Sequence, residues 1–61
     1  MVDRIKALCK DRGISIVELE ERSGIGKNTI YRWNVVMPSA DKLARVAKVL
    51  GVTTEDLLDG T

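Results

Sequence analysis

The segment from Ser15 to Trp33, SIVELEERSGIGKNTIYRW, places the strongest constraint on the fold of this chain. Glu18 follows Ser15 at the spacing of a capping box, in which a hydroxyl and a carboxylate each satisfy a backbone N–H of the first helical turn. We expect that helix to continue to about Arg22. Gly24 then stands where a left-handed residue ends a helix, because glycine takes a positive φ without a Cβ clash. The segment therefore predicts a short helix followed by a tight turn.

A second helix is predicted directly after this turn. It begins near Lys27, continues to Trp33, and carries Asn28 and Arg32 on its outward side. Two short helices joined by a glycine turn, with basic and amide side chains on the second, are the pattern of a helix-turn-helix that reads DNA.

The distribution of charge supports this interpretation better than the total does. The formal net charge is only +1, whereas DNA-binding domains are often strongly basic. Between Arg22 and Met37, however, every charged residue is basic, whereas acidic residues cluster just before this stretch at 18–21 and in the tail at 55–59. The basic stretch therefore coincides with the predicted reading helix.

Three further helices complete the predicted fold, which is an all-α bundle of five short helices forming one domain over residues 1–61. Gly13 ends the first helix, Pro38 prevents any helix from continuing through it, and Ser39 is placed to cap the fourth. Thr53 or Thr54 caps the last. The predicted helices cover about residues 2–12, 16–22, 27–33, 40–50 and 55–58.

The apolar residues on the inner faces of these helices form the predicted core, and helices this short need mutual packing for stability. Trp33 falls three residues after Ile30 and is assigned to the same buried side. Cys9 is expected to be a half-buried small hydrophobe. The predicted core consists of Ile14, Leu19, Ile25, Ile30, Leu43, Val46, Leu50, Val52 and Leu57.

Composition excludes several classes of protein. One cysteine cannot form an internal disulfide. The lack of histidine removes the common zinc patterns and the usual general base of a catalytic thiol. No apolar run approaches the length of a membrane span, and the N-terminus does not read as a signal peptide. We therefore expect a cytoplasmic protein with no cofactor, metal or membrane partner. A chain of 61 residues is too short to enclose a small-molecule substrate, so we expect no enzyme.

The run RIKALCKDRGISIVELEERSGIGKNTIYRW, followed by PSADKLARVAKVLGVTTEDLL, resembles the lambda repressor/Cro-like helix-turn-helix family of phage and bacterial transcription regulators. The resemblance covers nearly the whole chain, from about Arg4 to Leu58. It implies a five-helix bundle that binds a pseudo-palindromic operator in double-stranded DNA, usually as a homodimer. A phage or prophage repressor, either Cro-like or the N-terminal domain of a larger repressor, is the function that it implies.

The resemblance also implies which residues contact DNA, with the third helix in the major groove. The side chains implied to meet base edges are Lys27, Asn28, Tyr31 and Arg32. The residues implied to contact the DNA backbone are Ser15, Ile16, Thr29, Ser39 and Lys42.

Arg32 and Asn28 each have a structural interpretation beside the base-reading one, and for Arg32 we favour base reading. Arg32 can present its planar fork to guanine O6 and N7, or it can form an ion pair with Glu21. Asn28 can pair with adenine N6 and N7, or it can cap backbone groups at the start of the helix.

The chain departs from the family pattern at three places. Ile16 stands where the family usually has a glutamine that contacts the DNA backbone, so only main-chain N–H groups remain for that contact. Cys9 and Asn34 occupy positions where many members have an arginine and a glutamate in a buried ion pair. Replacing both partners is compatible with the same fold, because neither charge is left alone. The loop 34–37 is short and apolar.

A second function remains open, which is a protein-interaction module on the same fold, antitoxin-like or anti-repressor-binding. It depends on the near-neutral charge and on the apolar residues Ile16, Val17, Val35, Val36 and Met37. A homodimer on DNA would need an apolar interface, for which Val52 with Leu57 or Leu58 are the candidates.

Overall fold

The computed structural model describes residues 1–58, which form five α-helices and no strand. The helices are α1 (Val2–Arg12), α2 (Ile16–Ser23), α3 (Thr29–Arg32), α4 (Ala40–Leu50) and α5 (Thr54–Leu58). This confirms the predicted all-α bundle. The bounds agree with the sequence prediction to within a residue, except for those of α3, which is much shorter than predicted.

Serine caps begin α2 and α4 as predicted. The Ser15 hydroxyl accepts a hydrogen bond from the Glu18 N–H at 3.0 Å, and the Ser39 hydroxyl accepts one from the Lys42 N–H at 3.3 Å. The predicted capping box at Ser15 is only half formed, however. The Glu18 carboxylate pairs with Arg22 one turn further along α2, so it does not return to the Ser15 N–H. The complete capping box lies instead at the start of α5.

That capping box joins Thr53 and Asp56. The Thr53 hydroxyl accepts from the Asp56 N–H at 3.1 Å, and the Asp56 carboxylate accepts from the Thr53 N–H at 3.2 Å. Each side chain therefore satisfies an amide that the first turn of α5 leaves free. Of the two threonines considered from the sequence, Thr53 is the cap.

A left-handed glycine ends α2, as predicted. Gly24 has a φ of 71°, and its N–H donates to the Glu21 carbonyl at 3.2 Å. The next amide, that of Ile25, donates back to the Glu20 carbonyl at 3.1 Å, which completes a Schellman motif. The chain consequently reverses direction within a few residues and brings α3 back against α2.

The core lies between α2 and α4, which pack against each other, while α1 contacts both of them and α5 packs on α4. Helix α1 contributes more than predicted, because Val2, Ile5 and Leu8 are buried although the predicted core omitted them. Cys9 is fully buried, so the half-buried position expected for it was wrong. The buried hydrophobic residues are Val2, Ile5, Leu8, Cys9, Leu19, Ile30, Trp33, Leu43, Val46, Ala47, Leu50 and Leu57.

Three residues of the predicted core occupy its margin. Ile14, Ile25 and Val52 are only partly buried and pack against the central cluster. Each lies directly after the glycine that ends a helix, where the backbone is turning at the surface. A turn residue of this kind covers the edge of a core without entering it.

Candidate nucleic-acid interface

The helix predicted to read DNA is short, covering only Thr29–Arg32. Lys27 and Asn28 lie in the turn that precedes it, so their predicted place in its first turn was wrong. The physical reason is the backbone of Asn28, which has a φ of 67° and so breaks the right-handed helical path. Asparagine is one of the few residues other than glycine that adopt this conformation readily. Trp33 follows α3 as its C-cap and is buried, as its predicted place beside Ile30 requires.

A buried carboxylate holds the start of α3. Glu20 is only 1 % exposed, and its two oxygens accept hydrogen bonds from the Asn28 N–H and the Ile30 N–H, both at 3.1 Å. The first amides of a helix have no partner within the helix, so a side-chain acceptor here satisfies groups that would otherwise be buried without one. Glu20 thus fixes α3 to α2.

Sequence reasoning missed this role of Glu20, although one signal was available. Ile16, Leu19, Glu20 and Ser23 follow the spacing of one helical face, and the last three are buried. A charged residue within such a row indicates a buried acceptor or ion pair. In the run ELEE, the neighbouring acids made Glu20 resemble one more exposed charge.

The predicted base-reading side chains all face solvent. Lys27, Asn28, Tyr31 and Arg32 are exposed, whereas Ile30 and Trp33 on the opposite side are buried. The turn and α3 therefore present a polar, basic surface over an apolar one. A reading helix needs this arrangement, because the side chains that meet base edges must be free of the core.

The structural alternatives considered for Arg32 and Asn28, an ion pair and a helix cap, are not formed within residues 1–58. Within residues 1–58, Arg32 forms no ion pair, and in particular none with Glu21. The Asn28 side chain makes no capping hydrogen bond, although Asn28 occupies the N-cap position of α3. Both side chains are therefore free to bind a partner.

Four of the predicted contact residues border one cleft, of about 220 Å³, between α3 and the start of α4. Thr29 and Arg32 line it from α3, and Ser39 and Lys42 line it from the beginning of α4. Lys27 lies apart, beside a smaller hollow of about 140 Å³ lined also by α2. The cleft brings two basic side chains next to a helix N-terminus, where backbone N–H groups favour a phosphate.

The start of α2 carries the remaining two predicted contacts. Ser15 is exposed, but Ile16 is partly buried and packs against the core, so it is not an apolar residue on an exposed turn. The apolar Ile16 side chain cannot donate a hydrogen bond to a phosphate. The Ile16 N–H belongs to the first turn of α2 and has no acceptor within that helix, so the main chain is what this position offers to an anion.

A helix-turn-helix with an exposed basic and amide surface on its turn and second helix defines a DNA-binding domain of that class. The sequence model of the Cro/C1-type HTH DNA-binding domain family matches residues 4–60, which is nearly the whole chain. The chain belongs to this family of DNA-binding domains, and its resemblance to lambda repressor/Cro-like regulators is confirmed. Neither a curated protein nor a solved structure matches it significantly. No helix among residues 1–58 is long and apolar enough to cross a membrane.

Proposed function

We propose that the chain is a sequence-specific transcription regulator, namely a phage or prophage repressor of the Cro-like kind or the DNA-binding domain of a larger repressor. The observation that carries this proposal is the division of the turn and α3 into a solvent-facing basic side and a buried apolar side. We take residues 1–61 to form one domain acting on DNA in the cytoplasm of a bacterium or an infected host, without a cofactor.

In this proposal, α3 and the turn before it enter the major groove. Arg32, which has no ion pair within residues 1–58, presents its guanidinium fork to guanine O6 and N7. Asn28 offers its amide to adenine N6 and N7, while Lys27 serves guanine or a phosphate and Tyr31 reaches a thymine methyl.

The proposed DNA-backbone contacts lie on both sides of α3. Ser15 and the Ile16 N–H form one contact at the start of α2, and Ser39 with Lys42 forms another at the start of α4. The serine oxygens already accept bonds from their own helices, but each hydroxyl retains its hydrogen to donate to a phosphate oxygen. Thr29, on the cleft between the two helices, is the fifth contact.

We propose a homodimer on a pseudo-palindromic operator. The chain measures 24 × 23 × 17 Å along its principal axes. Half-sites that face the same side of B-DNA lie about 34 Å apart, which is further than one chain extends. Of the apolar residues considered for the dimer interface, Leu57 is excluded because it is fully buried, which leaves Val52 and the exposed Leu58.

Selection of bound duplexes from a random DNA pool at moderate salt tests this function. We expect an enriched inverted repeat with half-sites about one helical turn apart. The variants Arg32→Ala and Lys27→Ala should each weaken binding to that repeat. Weak binding that selects no sequence and disappears as the salt concentration rises would contradict the proposal, because it would show only electrostatic attraction.

A second function is favoured by one observation, which is the exposure of three consecutive apolar residues between α3 and α4. Val35 is 90 % exposed, Val36 62 % and Met37 69 %. These residues, and separately Val17 on α2, would supply apolar contacts to the partner of an antitoxin-like or anti-repressor-binding module. Ile16 contributes less than predicted, because it packs on the core. Binding of a protein partner that Val35→Ser and Met37→Ser abolish, with no DNA binding at low salt, would select this alternative.

A further inference from the structure

We propose that Glu20 is a positioning residue for DNA recognition. Its buried carboxylate fixes the backbone on both sides of the point where α3 begins, and so sets the direction in which Asn28 and Arg32 project. The inference rests on the proposed function, since it concerns how the reading surface is held for DNA.

The geometry gives the carboxylate a single role. Glu20 is 1 % exposed, yet it forms no ion pair within residues 1–58. Its partners are the two backbone amides of Asn28 and Ile30, one for each oxygen. Because a buried charge is costly unless it is hydrogen-bonded, these bonds must remain formed whenever Glu20 stays inside. The position of Glu20 on α2 is thereby transmitted to α3.

Helix α3 has no comparable support of its own. It consists of four residues, and the Asn28 side chain at its N-cap makes no capping bond. A single turn of helix is unstable in isolation, because few hydrogen bonds offset the cost of fixing its backbone. The two bonds from Glu20 flank Thr29 and hold the left-handed Asn28, so they take the place of the missing cap.

A purely structural role would produce a different result from a positioning role. If Glu20 only stabilised the fold, its replacement would lower the free energy of unfolding and leave the affinity of folded molecules for DNA unchanged. If it positions the reading surface, the folded variant must also lose preference for its operator. Loss of affinity for random duplex is not expected, because phosphate attraction does not require an aligned α3.

Glu20→Gln and Glu21→Gln form a matched pair of variants. Both remove one negative charge, which alone should strengthen binding to DNA. Glu21 is exposed, and its side chain makes no hydrogen bond or ion pair within residues 1–58. Glutamine at position 20 keeps one acceptor but turns an NH₂ group toward a backbone N–H, so one of the two bonds is lost.

The experiment measures binding of the wild type and both variants to the selected duplex and to random duplex, at a temperature where circular dichroism shows each to be folded. We expect Glu20→Gln to lose about tenfold or more in affinity for the selected duplex, the equivalent of one misaligned bidentate base contact. Affinity for random duplex should not fall, and Glu21→Gln should bind both duplexes at least as tightly as the wild type.

Undiminished binding of Glu20→Gln to the selected duplex would overturn the inference and leave the proposed function intact. A wild type that selects no duplex would overturn both. If Glu20→Gln does not fold, hydrogen exchange of the wild type decides the structural premise. The amides of Asn28 and Ile30 should exchange much more slowly than the amide of Met37, which donates no backbone hydrogen bond within residues 1–58, and exchange at the Met37 rate would overturn the inference.

Discussion

The ammonium nitrogen of Lys6 lies 5.5 Å from the centre of the Tyr31 ring, so a cation on α1 faces an aromatic side chain on α3. Tyr31 is 45 % exposed, and this contact restrains a side chain that the core does not enclose. Helix α3 is thus held from two directions, by the Glu20 carboxylate on α2 and by the Lys6 ammonium on α1.

A double-mutant cycle measures the second of these contacts. We expect Lys6→Gln and Tyr31→Leu to show a coupling of about 0.5–1 kcal/mol in the free energy of unfolding, the range for an exposed cation–π pair. Lys10→Gln is the control, because Lys10 lies one turn further along α1 and faces no aromatic ring in the described part of the chain. Equal coupling of both lysines to Tyr31 would contradict a specific interaction.

Arg32→Lys separates base reading from charge. Lysine keeps the positive charge but lacks the planar fork, so we expect a loss of about 1–3 kcal/mol in binding the selected duplex. Affinity for random duplex and its salt dependence should change little, since the number of cations is unchanged. Competition binding at several salt concentrations provides the measurement. Equal losses for both duplexes would assign Arg32 to a phosphate.

Two variants of Asn28 separate its effect on the stability of the fold from its effect on DNA recognition. Asn28→Ala should destabilise the fold by about 1–2 kcal/mol, because alanine tolerates the left-handed backbone poorly, whereas Asn28→Gly should not. If the amide reads adenine, both variants should lose affinity for the selected duplex. Urea denaturation and DNA binding of the two variants check this. Full affinity in Asn28→Gly would remove Asn28 from the base-reading set.

Burial raises the pKa of the Cys9 thiol, and the nearby Arg12 partly opposes the shift. The folded state therefore disfavours the thiolate relative to the unfolded chain. The resulting stability is fully present below the unfolded thiol pKa of about 8.5 and is lost as the pH rises through the higher folded pKa. Cys9→Ala should cost about 1 kcal/mol at pH 7. This difference from the wild type should shrink toward pH 9.5 in urea denaturation, and a constant difference would contradict the prediction.

Leu58 tests the proposed dimer. It is 51 % exposed at the end of α5, whereas its neighbour Leu57 is fully buried. We expect Leu58→Lys to leave the fold intact, to shift sedimentation toward the monomer, and to remove the extra affinity that a dimer has for an inverted repeat over a single half-site. The matched variant Ala44→Lys adds the same charge at an exposed position of α4 and should sediment as the wild type. A dimer unaffected by Leu58→Lys would place the interface elsewhere.

Local signals in the sequence predicted most of the fold. Ser15, Ser39 and Gly24 act through their own backbone or that of residues a few positions away, so their effects can be inferred without knowledge of tertiary structure. The same holds for Trp33, whose spacing from Ile30 assigned it correctly to the buried side.

The errors arose where distant segments meet. The start of α3 depends on a left-handed Asn28 and on a carboxylate eight residues earlier in the chain, and neither is visible in local spacing. Glu18 was predicted to bond the backbone, but Arg22 lies within its reach and competes for it. The contact with DNA stays a prediction for every residue proposed to make one.

The brevity of α3 has a consequence for how such a protein changes its target. Its anchoring relies on Ile30, Trp33 and the Glu20 carboxylate, all of them buried. Lys27 and Arg32 face solvent and form no ion pair within residues 1–58, so they contribute little to holding α3 in place. Substitutions at positions 27 and 32 can therefore change the DNA sequence that the proposed surface selects with little risk to folding, whereas position 28 must also keep its left-handed backbone.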